Sequence, residues 1–347
     1  MKVKQFRFYV ALIGATVSLC VSTGCKREAP QGVSVPKATS SPSPQTPQKV
    51  ASDESLSVAK VDELGVVPIL EYHDISGSKS KGMVRTVSDF KRDLNRLYAE
   101  GYYPITMKEF LNNRIAAPLG KSPVILTFDD ARGSQFQYAA DGSISPDCAV
   151  GILTDFAKAH PDFPAKAVFY VLPLSGFTQS GERQKKFADL VKMGFEIGNH
   201  TVRHKALSHM TDEEVKKELA GCVRLTRELV PGVEMETVAL PMGIGPKNRA
   251  LLASGEAEGV KYANRAVLLV GANPAPSPVS PKYNPMKLPR VMAVDIPFGI
   301  TYWMDSLKRG TPARYISDGD PNTITVPKSR QSLVVTARLI GAKLRAY

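Results

Sequence analysis

The sequence has few of the residues that usually report on chemistry. Its 347 residues include four cysteines, five histidines and one tryptophan. Cys148 and Cys222 are the cysteines in the body of the chain, and we expect free thiols there, with a disulfide as the alternative. No histidine follows His209, which excludes an imidazole acid, base or ligand from the rest of the chain.

The sequence also lacks an internal repeat and a hydrophobic run long enough to span a bilayer comfortably. The apolar run from Phe8 to about Val21 is too short for that, and Lys2, Lys4 and Arg7 precede it, which is typical of a secretory signal. The formal net charge is +12. It indicates a solvated basic surface, or attraction to an anionic membrane or acidic polymer. Since no nucleic-acid-binding motif accompanies the charge, we expect no nucleic-acid partner.

The residues after the apolar run resemble a bacterial lipobox, Ser22-Thr23-Gly24-Cys25. We therefore predict a lipoprotein signal peptide over residues 1–24 and a membrane anchor through lipidated Cys25. A lipobox usually has Leu where this chain has Ser22, and ordinary signal cleavage nearby is the alternative. The prediction is an exported protein that is lipid-anchored to the bacterial cell envelope, at its periplasmic or outer surface.

Composition divides the rest of the chain into three parts. Residues 25–65 are rich in Pro, Ser, Thr, Gln and Lys, so we predict a disordered linker, either a functional spacer or an inert leader. Residues 66–310 fit one large domain. We predict that residues 311–347 are a C-terminal extension, which either packs on that domain or follows it. Alternating strand and helix patterns favour an α/β domain with parallel strands.

We predict that the stretch Val124–Arg132 lies at the centre of the domain. Its apolar residues indicate a strand buried on both faces, and the strand ends in Asp129 and Asp130. Ligands of parallel α/β folds collect at the carboxyl ends of strands. One carboxylate can bind a cation while the other handles protons. The alternative is that one of them simply caps a following helix.

A second stretch, Gly194–His204, provides imidazoles. His200 and His204 are four residues apart and follow a short predicted strand around Phe195 and Ile197, so both rings can lie on one side of a turn. Two histidines and one carboxylate, with open positions for water and substrate, are typical of a hydrolytic metal site.

Together the two stretches resemble motifs of a known family. Thr127-Phe128-Asp129-Asp130 and His200-Thr201-Val202-Arg203-His204 are similar to the first two motifs of the NodB-homology polysaccharide deacetylases, carbohydrate esterase family 4. The resemblance implies a distorted (β/α) barrel. It implies Asp129 as the general base, with Asp130, His200 and His204 as ligands of a divalent metal. Zinc is the first choice, with Co²⁺, Ni²⁺ or Mn²⁺ as alternatives.

The later motifs of that family are altered here. An Arg usually precedes Pro-x-Gly and orients the base, but Ala239 stands at its position before Pro241 and Gly243. The last motif usually supplies a histidine acid, and the matching segment contains Arg290 and Asp295 instead. We list Pro241, Arg290 and Asp295 as substrate-binding candidates. The missing arginine raises the question of how Asp129 would be oriented.

One more histidine and the tryptophan are open to two interpretations each. A Tyr-His pair at Tyr72 and His73 resembles deacetylases that act on extracellular poly-N-acetylglucosamine. His73 is thus a candidate to line the cleft, although a structural histidine is an equal alternative. Trp303 either stacks on a sugar or packs in a core or interface.

The predicted function is metal-dependent N-deacetylation of an N-acetylhexosamine polysaccharide, a peptidoglycan or poly-N-acetylglucosamine-like glycan, by a monomer. The alternative is a glycan-binding surface lipoprotein of the same fold with impaired catalysis. A third interpretation is deacetylation of a small or modified sugar, with the loop Gly133–Asp147 closing the groove.

Overall fold

The computed structural model describes residues 51–178 and 180–347. The predicted signal peptide, Cys25 and the linker up to residue 50 lie outside the described residues. No helix in the described ranges combines the length and apolar character needed to cross a membrane. Cys148 and Cys222 are buried free thiols.

The described residues form seven α-helices. In chain order they are α1 (Asp53–Ala59), α2 (Val87–Ala99), α3 (Met107–Leu111), α4 (Ala149–Ala159), α5 (Arg183–Lys192), α6 (Asp212–Leu229) and α7 (Ile300–Lys308). Helix α6 begins at a capping box formed by Thr211 and Glu214. The side chain of Thr86 caps helix α2, two residues before Ser88, which is the cap that the sequence pattern suggests.

Fourteen strands complete the described secondary structure. They are β1 (Ile69–Tyr72), β2 (Asp74–Ile75), β3 (Val84–Arg85), β4 (Tyr102–Pro104), β5 (Ser122–Asp129), β6 (Val168–Val171), β7 (Glu196–Asn199), β8 (Thr237–Ala239), β9 (Ser254–Ala257), β10 (Val260–Ala263), β11 (Ala266–Leu268), β12 (Val291–Met292), β13 (Thr323–Val326) and β14 (Lys343–Ala346).

The main sheet is parallel throughout and forms the predicted distorted (β/α) barrel. Its order is β11-β8-β7-β6-β5-β1-β12, with β4 also paired to β5. A parallel bridge between Leu268 and Leu288 links β11 to the segment that leads into β12, which brings the two edges of the sheet together. All eight residues of β5 are buried, as expected for a strand covered on both faces.

The folded domain begins earlier than composition suggests, so the predicted linker end at residue 65 is wrong for residues 51–65. Leu56 of α1 is fully buried, and Leu64 packs in a cluster with Val326 and other residues of the C-terminal region. Glu63 is buried and accepts hydrogen bonds from the backbone N–H groups of Thr325 and Asp318, at 2.7 and 3.2 Å. Composition misplaced the boundary because residues 51–65 pack against the C-terminal segment, which composition alone does not show.

Candidate active site

The predicted metal ligands lie at the carboxyl ends of strands β5 and β7. Asp129 is the last residue of β5, and Asp130 follows it with a positive φ of 72°. His200 follows the last residue of β7. Because β5, β6 and β7 are parallel, the carboxyl ends of all three face the same side of the sheet.

Asp130, His200 and His204 form a compact group. Asp130 Oδ1 lies 3.3 Å from His200 Nε2 and 3.2 Å from His204 Nε2. This oxygen is buried and has no hydrogen-bond partner among the described residues. A buried unpartnered carboxylate oxygen that faces two imidazole nitrogens is a poor arrangement unless a cation lies between them. The side chains present therefore fit a divalent metal.

The tautomer of His200 also fits metal binding. Its Nδ1 lies 2.8 Å from the carbonyl oxygen of Ala239. An Nδ1–H that donates to this carbonyl leaves the Nε2 lone pair directed at Asp130, which is the usual arrangement for a metal-bound histidine. Ala239 replaces the expected third-motif arginine, and its backbone still orients a ligand.

Charge balance within the group follows from burial and proximity. Burial opposes ionisation of Asp130, but the adjacent His200, together with His73 and His204, stabilises the carboxylate, so the pKa of Asp130 falls below its ordinary value. Burial and the neighbouring His200 both lower the pKa of His204. An ionised Asp130 and a neutral His204 are the states that bind a cation, whereas the Asp129 and Asp130 carboxylates outweigh burial and raise the pKa of His200, so cation binding there displaces a proton.

The loop that carries the two histidines is held from α6. Glu218 Oε2 accepts the backbone N–H groups of Val202 and Arg203, each at 2.9 Å. Thr201 and His204 both have positive φ values, 68° and 53°, which are uncommon for residues other than glycine. Since such backbone states persist only where the surroundings enforce them, Glu218 is a determinant of the ligand geometry.

Arg290 provides the orientation that the missing third-motif arginine would give. Its guanidinium makes two bonds of 2.7 Å, one to each oxygen of Asp129, and its Nε–H donates to the carbonyl of Leu269. Burial by itself would raise the pKa of Asp129, but the charge of Arg290 outweighs burial and the pKa is lowered. Asp129 is thus held as an oriented carboxylate.

A second acidic group joins Arg290 to His73. Glu71 Oε1 lies 3.3 Å from Arg290 Nη2 and 3.9 Å from His73 Nε2, and Glu71 Oε2 accepts the N–H of Gly271. Glu71, His73 and Asp129 offer ligand-type atoms within 4.8 Å of one another. Burial raises the pKa of Glu71, against the opposing effect of Arg290. His73 therefore lies next to the predicted base and is not an isolated structural residue.

The three predicted substrate-binding residues have different surroundings in the structure. Arg290 is fully buried and paired with Asp129, so the prediction that it binds substrate is wrong. Pro241 is buried at the start of a 3-10 turn after β8, and its contact with substrate stays a prediction. The Asp295 carboxylate pairs with Arg85 at 2.6 Å and accepts a hydrogen bond from Thr301, and its contact with substrate also stays a prediction.

Two functional residues were missed by sequence reasoning. Glu71 is a charged residue inside an otherwise apolar strand, and that mismatch with a buried strand was an available signal. Glu218 lies on the buried side of α6, where the helical pattern of apolar residues is interrupted by a charge. Neither residue belongs to a motif that would have drawn attention to it.

Comparisons with known proteins agree with this geometry. Residues 116–263 match the family model "Polysaccharide deacetylase". The deacetylase PplD of Streptococcus pyogenes, solved in complex with acetate, is 18% identical with a TM-score of 0.53, covering 69% of this chain and 97% of that one.

Two further solved structures share the fold. A polysaccharide deacetylase of Bacillus cereus is 17% identical with a TM-score of 0.53, covering 70% of this chain and 69% of that one. IcaB of Ammonifex degensii is 16% identical with a TM-score of 0.50, covering 70% and 97%. The comparison with curated proteins finds no match. Residues 116–263 are thus similar to the polysaccharide deacetylase family model, and the chain shares the fold of the solved deacetylase structures.

Proposed function

We propose that this protein removes acetyl groups from an N-acetylhexosamine polysaccharide of the cell envelope in a metal-dependent reaction. One observation carries the proposal. The unpartnered Oδ1 of Asp130 faces both histidine Nε2 atoms, immediately beside an Asp129 carboxylate that Arg290 orients. The glycan is of the peptidoglycan or poly-N-acetylglucosamine type, and the protein acts as a monomer.

Asp130, His200 and His204 are the residues that hold the metal. Zinc suits two imidazoles and one carboxylate, and Co²⁺, Ni²⁺ or Mn²⁺ are alternatives. When bound, the ion supplies Lewis acidity toward the amide carbonyl and the attacking water. The protein's contribution is to fix the ligand geometry through the Ala239 carbonyl and Glu218.

Asp129 acts as the general base. It takes a proton from water as the water oxygen attacks the acetyl carbonyl carbon. The two bonds from Arg290 restrict its carboxylate to one orientation and keep it ionised. The Asp129 carboxylate also lies 3.9 Å from His200 Nε2, so the oriented base is next to the metal group.

His73 acts as the general acid. Breaking the amide C–N bond leaves a nitrogen that needs a proton, and the later part of the chain contains no histidine to give it. His73 is placed next to Asp129, and its Nε2 lies 3.9 Å from Glu71 Oε1. The products are acetate and a free amine on the sugar.

Acetate release tests the function. Purified protein with added zinc should release acetate from an acetylated chito-oligosaccharide. Asp129→Asn and His200→Ala should abolish release while the thermal melt persists. His209→Ala, an exposed histidine near the same motif, is the matched control and should keep full activity. Glycan binding without acetate release, over several metals, would instead support the alternative of a binding protein with impaired catalysis.

Export and lipid anchoring through Cys25 are part of the same proposal. They rest on the sequence before residue 50, which lies outside the described residues. The wild-type chain should fractionate with membranes, and Cys25→Ser should shift it to the soluble fraction. Cys20→Ser, a change inside the apolar run, is the control and should leave the membrane fraction unchanged. Soluble wild-type protein would refute the anchor.

A further inference from the structure

Three aromatic side chains at the start of α7 form a surface cluster, hereafter the aromatic cluster: Phe298, Tyr302 and Trp303. The rings of Phe298 and Tyr302 are 4.9 Å apart, and those of Tyr302 and Trp303 are 5.2 Å apart, both edge to face. Phe298 is 54% exposed and Tyr302 is 42% exposed. Exposed contiguous aromatic surface on a folded domain marks a binding site more often than chance packing.

The aromatic cluster lies on the same edge of the barrel as the candidate active site. Strand β12 is parallel to β1, and Ala293 N–H, just past β12, donates to the carbonyl of Glu71. The chain then continues beyond the carboxyl end of β12 into Phe298. In the sheet, β12 and β5 are separated only by β1, which places them about 10 Å apart.

A hydrogen-bonded connection runs from the aromatic cluster to the base. Trp303 Nε1–H donates to the carbonyl of Ala272 at 2.8 Å, and the preceding residue, Gly271, donates its N–H to Glu71. Glu71 in turn lies beside the Arg290 guanidinium that clamps Asp129. The indole is therefore fixed by the same loop that supports the catalytic groups.

We propose that the aromatic cluster binds a sugar ring of the same glycan chain, at a position removed from the unit being deacetylated. This inference rests on the proposed function and adds a second subsite to it. Pyranose rings carry axial C–H groups that pack on the electron-rich faces of aromatic rings. A polymer can contact both the aromatic cluster and Asp129, whereas a single N-acetylhexosamine occupies only the catalytic position.

The rigidity of the aromatic cluster favours a defined ligand. Trp303 is partly buried and held by its N–H, so its ring plane is set before any ligand arrives. Phe298 has a φ of 62°, an uncommon state for a bulky residue, which turns the ring out at the end of the segment after β12. Preorganised rings reduce the entropy lost on binding.

Trp303 provides a direct probe, because it is the single tryptophan of the chain. The full chain is used with Cys25→Ser, so that lipidation plays no part, and with Asp129→Asn, so that the ligand is not consumed. An acetylated chito-oligosaccharide should change the Trp303 emission saturably, and the N-acetylglucosamine monomer should not. The absence of a change with the oligomer would overturn the proposal.

Binding to a membrane surface is the alternative explanation for the exposed aromatic cluster. Vesicles of phosphatidylglycerol and phosphatidylethanolamine should leave the Trp303 emission unchanged. A blue shift with vesicles in a protein that does not respond to the oligomer would replace the sugar subsite with a lipid contact.

Kinetics with leucine variants separate stacking from plain hydrophobicity. Phe298→Leu with Tyr302→Leu keeps apolar surface but removes two ring faces. The KM for long acetylated oligomers should rise roughly tenfold, as expected for the loss of aromatic stacking, while turnover of the shortest substrate is unchanged. Leu333→Ala, equally exposed and remote from α7, is the control and should change neither.

The outcomes distinguish the two proposals. If the wild-type chain releases no acetate, the proposed function fails, and the Trp303 titration still reports glycan binding by itself. If acetate is released and the leucine variants keep the wild-type KM for long oligomers, the second subsite fails and the deacetylase stands.

Discussion

Arg290 holds Asp129 by two parallel hydrogen bonds of 2.7 Å, although 161 positions of the chain separate them. The guanidinium is fully buried and also faces Glu71 at 3.3 Å. One cation thus serves two buried carboxylates. This relationship explains how Asp129 is oriented although Ala239 stands where the resemblance predicts an arginine.

Replacing Arg290 should move the pH dependence of catalysis. The pKa of Asp129 is below its ordinary value of 3.8 because the cation outweighs burial. Arg290→Met removes the largest effect that opposes burial, so the pKa of Asp129 rises and the acid limb of kcat/KM shifts to higher pH. Arg290→Lys keeps the charge and should show a smaller shift.

The Arg290→Met change also leaves two carboxylates buried without a counter-charge, which costs about 3–5 kcal/mol of stability. The double variant Arg290→Met with Glu71→Gln removes one of those charges and should recover part of the thermal stability without restoring the acid limb. An acid limb that stays at the wild-type position in both variants would contradict the assigned role.

His73→Ala should reduce kcat by about 10²–10⁴-fold if His73 protonates the leaving amine. The loss should be much smaller for an anilide substrate, whose amine leaves with less need for a proton. Comparison of the two substrates under the same conditions is the measurement. Equal losses on both would mean that His73 does not act as the acid. His160→Ala, a histidine packed against Tyr98, serves as the control for histidine removal.

Glu218→Ala should weaken metal binding without removing a ligand. Glu218 holds the backbone of Val202 and Arg203, and loss of such support typically reduces metal affinity about 10–100-fold. Cobalt titration followed by its visible absorption measures the affinity. Glu213→Ala, on the exposed side of the same helix, should bind cobalt like the wild type. Chelation should abolish activity in all variants, and zinc should restore it.

Asp318→Asn should stabilise the protein progressively as the pH rises. Burial, and then the neighbouring Asp318 charge, raise the pKa of Glu63 well above its ordinary value of 4.5. A carboxyl with a raised folded pKa favours folding below its ordinary value, and that contribution is lost as the pH rises through the folded pKa. The pKa of Asp318 is itself raised by burial, so both groups act in the same direction.

The measurement for Asp318→Asn is the difference in Tm between variant and wild type across the pH range above about 4.5, the ordinary pKa of glutamate. That difference should grow with pH. Asp155→Asn, a surface aspartate paired with Lys158, should show no such trend. A constant difference for Asp318→Asn would mean that Glu63 keeps its proton affinity unchanged on folding.

The metal group could be predicted because its residues lie in two short contiguous stretches next to apolar strand patterns. Local pattern and spacing singled out Asp129, Asp130, His200 and His204, the family resemblance implied which of them bind metal, and the parallel sheet brings the two stretches together. The assignment of Arg290 to substrate binding failed because a side chain's burial depends on the strands packed around it. The sequence shows that an arginine follows Leu288-Pro289 but not that β1 and β5 cover it.

The domain boundary was placed late for a related reason. Residues 51–65 have linker-like composition up to Lys60, and their partners lie in the C-terminal region, far away in sequence. Glu63 illustrates this: its hydrogen bonds come from Asp318 and Thr325. Composition measures what a segment can bury alone, so it misses segments that fold against a distant partner.

Arg290, which orients Asp129, lies immediately before β12, the last strand of the barrel. The proposed activity therefore needs this late segment of the chain. A polypeptide cut between β11 and β12, or one whose synthesis has stopped there, still possesses every side chain of the metal group. It lacks the guanidinium that aims the carboxylate. The orientation of Asp129 therefore depends on a side chain that is made 161 residues after it.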